Sequence, residues 1–317
     1  MSQVTFIGHV SKDILTVNNN KKSTPGGGVY FGSGAFALCS ELLERTNVST
    51  NMLTIGTQTD EQELNFVSEM KKRNVTTTYL NNTQKTTSFE NIYKDPNDPD
   101  SRIQYVHSLA RPFEEEDLNN YYQNESKKFT KENQIAVLNP LWFGEFPSEL
   151  FSVLKKYVSK IIIDAQGFVR HVTVGSEDAI TYSAWDRAEE FLPYVDLLKV
   201  DIKEATYLTG IKDPLEAMKK LGKFGVSQII CSFKEGAYIY DGSKCYTSYF
   251  GIDYEPHCRT GRGDTLTASY ALAHYILLWD IQKSLDFATK ITALKMTKIG
   301  ALSREVLKGF NKEEFLN

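Results

Sequence analysis

Cys258-Arg259-Thr260-Gly261-Arg262-Gly263-Asp264-Thr265, running on into Leu266-Thr267-Ala268-Ser269-Tyr270-Ala271-Leu272-Ala273, is the stretch of sequence that decides the fold. Glycines give way there to a helix of small residues. A helix entered through glycines exposes amide N–H groups with no intrahelical acceptor, together with the positive end of the helix dipole. Such an end is an anion site that can hold a phosphate. Asp264 in the same turn would repel a phosphate, yet it is well chosen as a base that takes the proton of an attacking hydroxyl. Asp is also a good helix cap, and local physics leaves base and cap evenly matched. Arg262-Gly263-Asp264 spells an adhesion tripeptide as well, which in this setting is a chance match.

Outward from this turn, buried-strand patterns recur at Gln3 to Val10, Asn51 to Ile55, Ile135 to Leu138, Lys160 to Asp164, Val195 to Val200 and Gln228 to Ser232. Helical spacing occupies Tyr30 to Leu43, Trp185 to Phe191 and Leu215 to Phe224. This alternation predicts an α/β fold, a doubly wound and largely parallel sheet with helices on both faces. One region departs from it. Thr78 to Leu80, Thr86 to Lys94 and Arg102 to Leu109 read as consecutive strands, the last two joined by the turn-rich Asp95 to Ser101. They predict a small β-sheet lid formed by about residues 11–23 and 78–109, with an ordinary surface hairpin as the even alternative. The polar Asn18 to Lys22 and the following Pro25-Gly26-Gly27-Gly28 read as turn and tight backbone. Ser126 to Asn133 reads as a solvated helix end. Without a repeat, low-complexity tract or linker, one domain is expected over residues 1–317.

Composition narrows the function. Lys and Arg number 36 against 40 Asp and Glu, a net charge of -4, so there is no general electrostatic footprint for nucleic acid or an acidic membrane. Apolar runs are broken well before the roughly 20 residues a spanning helix needs, and the first residues carry no signal-peptide pattern. Cys39, Cys231, Cys245 and Cys258 have no C-x-x-C spacing. A cytoplasmic protein with reduced thiols is expected. The glycine runs match neither G-x-x-x-x-G-K-[ST] nor G-x-G-x-x-G. His9, His107, His171, His257 and His274 lack metal or triad spacing.

Gly261 to Thr265 resembles the G-A-G-D-[ST] signature of the ribokinase (PfkB) family. The resemblance implies Asp264 as the catalytic base and Gly261, Arg262 and Gly263 as the anion hole. Other family landmarks follow in order. Gly8 to Asp13 is similar to the first strand ending in a substrate-binding aspartate, and Gly26-Gly27-Gly28 to the di-glycine substrate loop. Asp201-Ile202-Lys203-Glu204 resembles the N-x-x-E motif, implying Asp201 and Glu204 near magnesium. Ser232 to Ala237 stands where the family has a nucleotide loop, and Thr297 to Ala301 resembles the segment closing the adenine pocket. The family therefore implies ATP and Mg²⁺, with Lys203, Ser232, Lys234, Gly236, Gly261, Gly263 and Thr297 at the nucleotide. The chain departs from the pattern with Arg262 for alanine, Cys258-Arg259 for Asp-Thr or Asp-Pro, and Asp201 for asparagine.

Within the family, Gly26 to Phe31, Thr87 to Tyr93, Asn139-Pro140 with Gly144-Glu145, and Asp164 to Arg170 look most like the myo-inositol 3-kinases. The implied acceptor is a neutral cyclic polyol met by Asp13, Gly27, Gly28, Asn139, Gln166 and Asp264, whose groups lie where open α/β sheets bind ligands. Arg170 is expected to steady the transferring phosphoryl, a surface ion pair being its plain alternative. In the lid strand Ser88 and Glu90 face one side and Phe89, Asn91 and Tyr93 the other, and the pattern leaves open which set meets substrate. A nucleoside or sugar kinase is the nearest rival. A non-catalytic ligand-binding regulator on the same fold is the rival of a different class, suggested by Arg262 and Cys258. Neither nucleic acid nor membrane is expected as a partner, and a homodimer through the lid stays open.

Overall fold

The structure is a computed structural model and describes the chain except for residues 18–19, 46, 94–101, 177–178, 252–257 and 317. Its strands in chain order are β1 Ser2–Ile7, β2 Ser11–Val17, β3 Asn20–Gly26, β4 Val48–Ile55, β5 Val75–Leu80, β6 Ser88–Tyr93, β7 Arg102–Ser108 and β8 Gln134–Leu138. They continue with β9 Lys160–Asp164, β10 Arg170–Val172, β11 Ile180–Tyr182, β12 Leu197–Asp201, β13 Gln228–Ser232, β14 Gly236–Tyr240 and β15 Cys245–Tyr249. Nine of them form one sheet in the order β15-β14-β13-β12-β9-β8-β1-β4-β5. From β13 to β5 all neighbours are parallel, and the pairs β13–β14 and β14–β15 are antiparallel, so that β14 alone of the nine runs against the others.

The apolar alternation of the central strands sorts side chains onto two buried faces. Val4, Phe6, Ile162 and Ile230 point into one core, against the helices Gly28–Leu42, Arg262–Ala271 and Ile281–Met296. Ile7, Ile161, Ile163, Ile229 and Cys231 point into the other, under the helices Glu115–Glu125, Leu150–Tyr157 and Pro214–Lys223. This is the α/β fold expected, with helices on both faces.

A second sheet of four strands, ordered β3-β2-β6-β7, stands beside the carboxyl edge of the main one. The expected lid is corrected at one strand: Thr78 to Leu80 are the end of β5, paired parallel with β4 in the main sheet. The turn Asp95 to Ser101 and the pair Asn18-Asn19 lie outside the described residues.

Other expectations shift for identifiable reasons. The opening strand stops at Ile7, because the next amides turn to side chains: His9 N–H donates to Glu145 Oε1 at 2.7 Å and Val10 N–H to Thr54 Oγ1 at 2.7 Å. Trp185 is not helical; the helix is Ala188–Phe191, and Trp185 instead stacks on Phe168 at 4.4 Å. Tertiary packing there imitates helical spacing. Ser126 to Asn133 follows the helix Glu115–Glu125 and holds only a 3-10 turn at Lys131–Asn133. The hairpin β14–β15 was not anticipated from the pattern. No helix among the described residues is long and apolar enough to cross a membrane.

Phe151 is fully buried and touches Phe146, Phe168, Trp185 and Phe191 at centroid distances of 5.7 to 6.2 Å. Phe151→Ala should therefore cost about 3–5 kcal/mol of stability, read as a lower denaturation midpoint at unchanged slope.

Candidate active site

Four strands of the main sheet end side by side on functional groups: Asn139 follows β8, Asp164 closes β9, Asp201 closes β12 and Ser232 closes β13. The first turn of the helix Arg262–Ala271 faces this edge, and the small sheet covers it. Together they enclose a cavity of about 290 Å³. It gathers Asp13, Gly27, Gly28, Asn139, Gln166, Arg170, Asp201, Ser232, Gly261, Arg262, Gly263 and Asp264 from distant parts of the chain. Residues expected at the nucleotide fare differently. Lys203, Lys234, Gly236 and Thr297 are absent from the described lining. The Lys203 ammonium sits 3.9 Å over the Tyr182 ring, and Gly236 opens β14, where a Cβ would come within 2.1 Å of Ser248 O. Thr297 ends the helix Ile281–Met296, its hydroxyl donating to Leu294 O at 2.7 Å.

Gly261 is the N-cap of its helix, at φ 77°, and no side chain caps that end. Asp264 therefore sits in the first turn without serving as the cap. Its half-buried carboxylate accepts a long hydrogen bond from Asn139 Nδ2 at 3.4 Å. Burial, then the Asp164 charge, pushes Asp264 up to about 6, while Lys199 and Lys295 pull the other way. An aspartate so tuned is ionised at neutral pH and still basic enough to take a proton. Gly28 makes room for it: a Cβ there would lie 2.6 Å from Asp264 Oδ1 and 2.7 Å from Asn139 Cβ.

Lys199 was missed in the sequence, though a lysine inside the apolar run Leu197-Leu198-Lys199-Val200 was a signal. Its buried ammonium is 3.0 Å from Asp164 Oδ2 and 3.5 Å from Glu204 Oε2. Burial alone would depress this lysine, but Asp164, Glu204, Asp201 and Asp264 outweigh it and hold it well above its ordinary value. Gly263 serves it too. A Cβ at Gly263 would sit 2.8 Å from both Cε and Nζ of Lys199, so the glycine lets a buried cation approach the helix end.

Asp201 and Glu204 form a reciprocal capping box at the helix Ile202–Thr209: Glu204 N–H donates to Asp201 Oδ1 and Asp201 N–H to Glu204 Oε2, both at 2.7 Å. Burial drives the Glu204 carboxyl well up despite Lys199 beside it. Among the described residues no group of three or more His, Cys, Asp or Glu side chains is placed to hold a metal ion. Mg²⁺ bound through phosphates needs only one or two carboxylates and keeps several waters. Asp201, on the cavity wall, fits that demand; Glu204, behind Lys199 and away from the lining, does not.

The question left open on β6 is decided by the fold. Phe89 and Asn91 line the cavity, with Gln104 Nε2 donating to Asn91 Oδ1 at 2.8 Å. Glu90 faces the other way, toward Thr16, Lys21 and His107. Although burial opposes it, their hydrogen bonds hold Glu90 down at about 2. Arg170 is 7% exposed and lies with its guanidinium 4.9 Å over Phe89, so it is no surface ion pair. Behind the wall, fully buried Glu145 accepts from the amides of His9 at 2.7 Å and Leu141 at 2.8 Å, ordering two segments that shape the cavity.

A carboxylate in the first turn of a helix, opposite a polar pocket at the carboxyl edge of a parallel sheet, is an arrangement suited to phosphoryl transfer onto a small molecule. The profile of the pfkB family carbohydrate kinases matches residues 57–306, and the chain belongs to that family. It is thus an enzyme that phosphorylates a sugar-like acceptor from a phosphate donor. A solved pyrophosphate-dependent kinase of the ribokinase family, in a sulfate complex, is 35% identical, covering 97% of this chain and all of that one, with a TM-score of 0.82. A pyrophosphate-dependent myo-inositol-1 kinase, converted by two substitutions into a myo-inositol-3 kinase, is 32% identical over 98% of this chain and 99% of that one, at a TM-score of 0.80. The 2-dehydro-3-deoxygluconokinase of Thermoproteus tenax is 32% identical over 102 residues, spanning 32% of this chain and 30% of that enzyme. The family resemblance read in the motifs is borne out.

Gly28→Ala should drive its methyl into the Asp264–Asn139 contact and lower kcat by about tenfold or more in a folded protein, because small misplacements near the chemistry are costly. Steady-state kinetics beside thermal unfolding measures it.

Proposed function

We propose that this enzyme phosphorylates a hydroxyl of myo-inositol, with inorganic pyrophosphate as the donor. The observation that carries the reading is the juxtaposition of Asp264 and Asn139 at the junction of two subsites in one cavity. On one side Asp13, Asn139, Gln166, Asn91 and Gln104 offer the donors and acceptors a neutral ring of hydroxyls requires. On the other the helix end, Lys199, Arg259 and Arg262 supply positive charge. The 3-hydroxyl is the acceptor position implied by the sequence. The 1- and 3-hydroxyls are related by the mirror plane of the ring, so a few wall residues suffice to choose between them.

The donor reading rests on charge and on reach. A nucleotide is held partly by its base, whereas pyrophosphate must be held by its phosphates alone. This turn carries two guanidiniums, Arg259 and Arg262, where the resembled signature has uncharged residues, and both line the cavity. Of the side chains expected to meet a nucleotide outside the turn, Ser232 lines the cavity, whereas Lys203, Lys234 and Thr297 are not in the described lining. The pyrophosphate dependence of the two similar kinases supports the same assignment.

In the reaction, the acceptor oxygen attacks the terminal phosphorus, its proton passes to Asp264, and the bond from that phosphorus to the bridging oxygen breaks. Phosphate leaves. The helix-end amides, Lys199 and Arg170 steady the charge on the transferring group. Mg²⁺, where it accompanies the donor, would be held through Asp201 and neutralise phosphate oxygens.

A panel of pyrophosphate and ATP against myo-inositol, sugars and nucleosides, with chiral analysis of the product, tests the proposal. Turnover of myo-inositol with pyrophosphate is expected. Turnover with ATP alone would return the donor to a nucleotide, and activity confined to a nucleoside would overturn the acceptor.

Asp264→Asn should lower kcat by about 10²–10⁴-fold while donor binding survives. In the wild type, activity should fall as pH drops through about 6, where Asp264 becomes protonated, and be level above it. Stability runs oppositely. With the folded carboxyl raised from 3.8 to about 6, the folded state holds the extra proton between these values and loses stability as pH rises through that window. At neutral pH the Asn variant should therefore melt no lower than wild type. Near wild-type turnover in a folded, donor-binding Asn variant would reject Asp264 as the base.

A further inference from the structure

Lys295 lies in the last turn of the helix Ile281–Met296, 1% exposed, beneath the glycine turn. It is a lysine out of water, which the fold tolerates only where something answers its charge. Its ammonium donates to the carbonyl oxygens of Thr260 and, at 3.5 Å, of Cys258, and lies 5.8 Å from the centre of the Phe31 ring. Phe31 also underlies the turn, since a Cβ on Gly261 would meet its ring atoms at 2.6 Å. Burial lowers this lysine, while the charge of Asp264 across the turn favours its protonated form.

The peptide plane supplies the consequence. In a trans peptide the carbonyl of one residue and the N–H of the next point in opposite directions, and the described chain has no cis bond. A cation that draws the carbonyls of Cys258 and Thr260 toward itself turns the N–H groups of Arg259 and Gly261 away from it. Arg259, Thr260 and Gly261 are cavity-lining residues. Arg262 N–H is taken by Arg259 O at 3.1 Å, which closes the turn in this form.

We propose that Lys295 is a positioning residue: an internal cation that ligates the outer carbonyls of the turn and thereby aims its amides at the donor phosphate. It touches neither substrate. The proposal rests on the reading that the glycine turn holds the donor. It assigns to the side chain of Lys295 the work that a small monovalent cation would otherwise do at those carbonyls.

Lys295→Met, which keeps the apolar stem and removes the charge, tests it. The apparent KM for pyrophosphate should rise, or kcat/KM for it fall, by about 10- to 100-fold, the usual cost of removing a group that orients others. The KM for myo-inositol should stay near wild type. Ammonium ion should restore a substantial part of the loss at constant ionic strength, and Lys295→Gln, which keeps one donor, should be intermediate. Wild-type donor kinetics in Lys295→Met, or an equal loss toward both substrates without ammonium rescue, overturns the proposal. A second measurement does not depend on the variants folding. The wild type should turn over equally in sodium, potassium and ammonium chloride, because the position is filled, and strong activation by one of them overturns the assignment. If the wild type turns over nothing, the proposed function fails by itself. Calorimetric binding of pyrophosphate to wild type and Lys295→Met then still reads the turn, and equal affinities would reject the role of Lys295.

Discussion

The ion pair between Lys199 and Asp164, 3.0 Å apart and nearly excluded from water, is what the rest of the site is arranged around. A lone ammonium or carboxylate at that depth would be prohibitively costly, so the two exist there only together. Asp164 ends β9 and Lys199 lies in β12, strands adjacent in the sheet, which fixes the pair at the carboxyl edge. Their opposite charges act on Asp264 in opposite directions. Burial and Asp164 raise it, Lys199 restrains it, and the result is a carboxyl held at about 6.

The close approach of these charges sets the demand for glycine. Gly28 and Gly263 are not hinges; a methyl at the first would collide with Asp264 and at the second with Lys199. Gly26 meets the same condition beside Asp13, where a Cβ would fall 2.1 Å from its Oδ2. Gly261 alone is needed for its backbone angle, as the left-handed residue that turns the chain into the helix. Two glycine segments, 26–28 and 261–263, thus converge on one carboxylate and its surroundings because each dispenses with side chains at the points of contact.

The small sheet divides its labour by strand alternation. One side of β6 carries Phe89 and Asn91 into the cavity, while the other buries Glu90 among Thr16, Lys21 and His107, tying β6 to both of its neighbours. Arg170 stacks on Phe89, so the covering sheet and the main body meet through a cation over a ring. The side of the cavity lined by Asp13, Asn91 and Gln104 is therefore built by packing between two sheets, and the side at the glycine turn by one helix end and its two supporting lysines.

Much of this was legible in the chain. The parallel sheet follows from apolar runs of strand length, and the glycine turn entering a helix follows from residue types whose backbone freedom marks it, while the reading of Asp264 as base rather than cap came from the family resemblance. The family resemblance pointed to Asp13, Asn139, Gln166 and Asp201, and the fold brings all four to one cavity. Local pattern could not say that Thr78 to Leu80 belong to the main sheet, since short strands look alike whatever their partner. Nor could it find Lys199 and Lys295. A lysine in an apolar element is recognisable in sequence as an oddity, but its meaning depends on which carboxylates or carbonyls the fold brings within reach. Alternation on β6 divided the side chains into two sets, and only the second sheet's seat over the cavity chose between them. The sequence by itself determined the fold and the position of the glycine turn, through periodicity and backbone constraint, which are local. Tertiary structure alone decided the buried pairings of charge, because they join residues far apart in the chain, at distances no spacing in the sequence encodes.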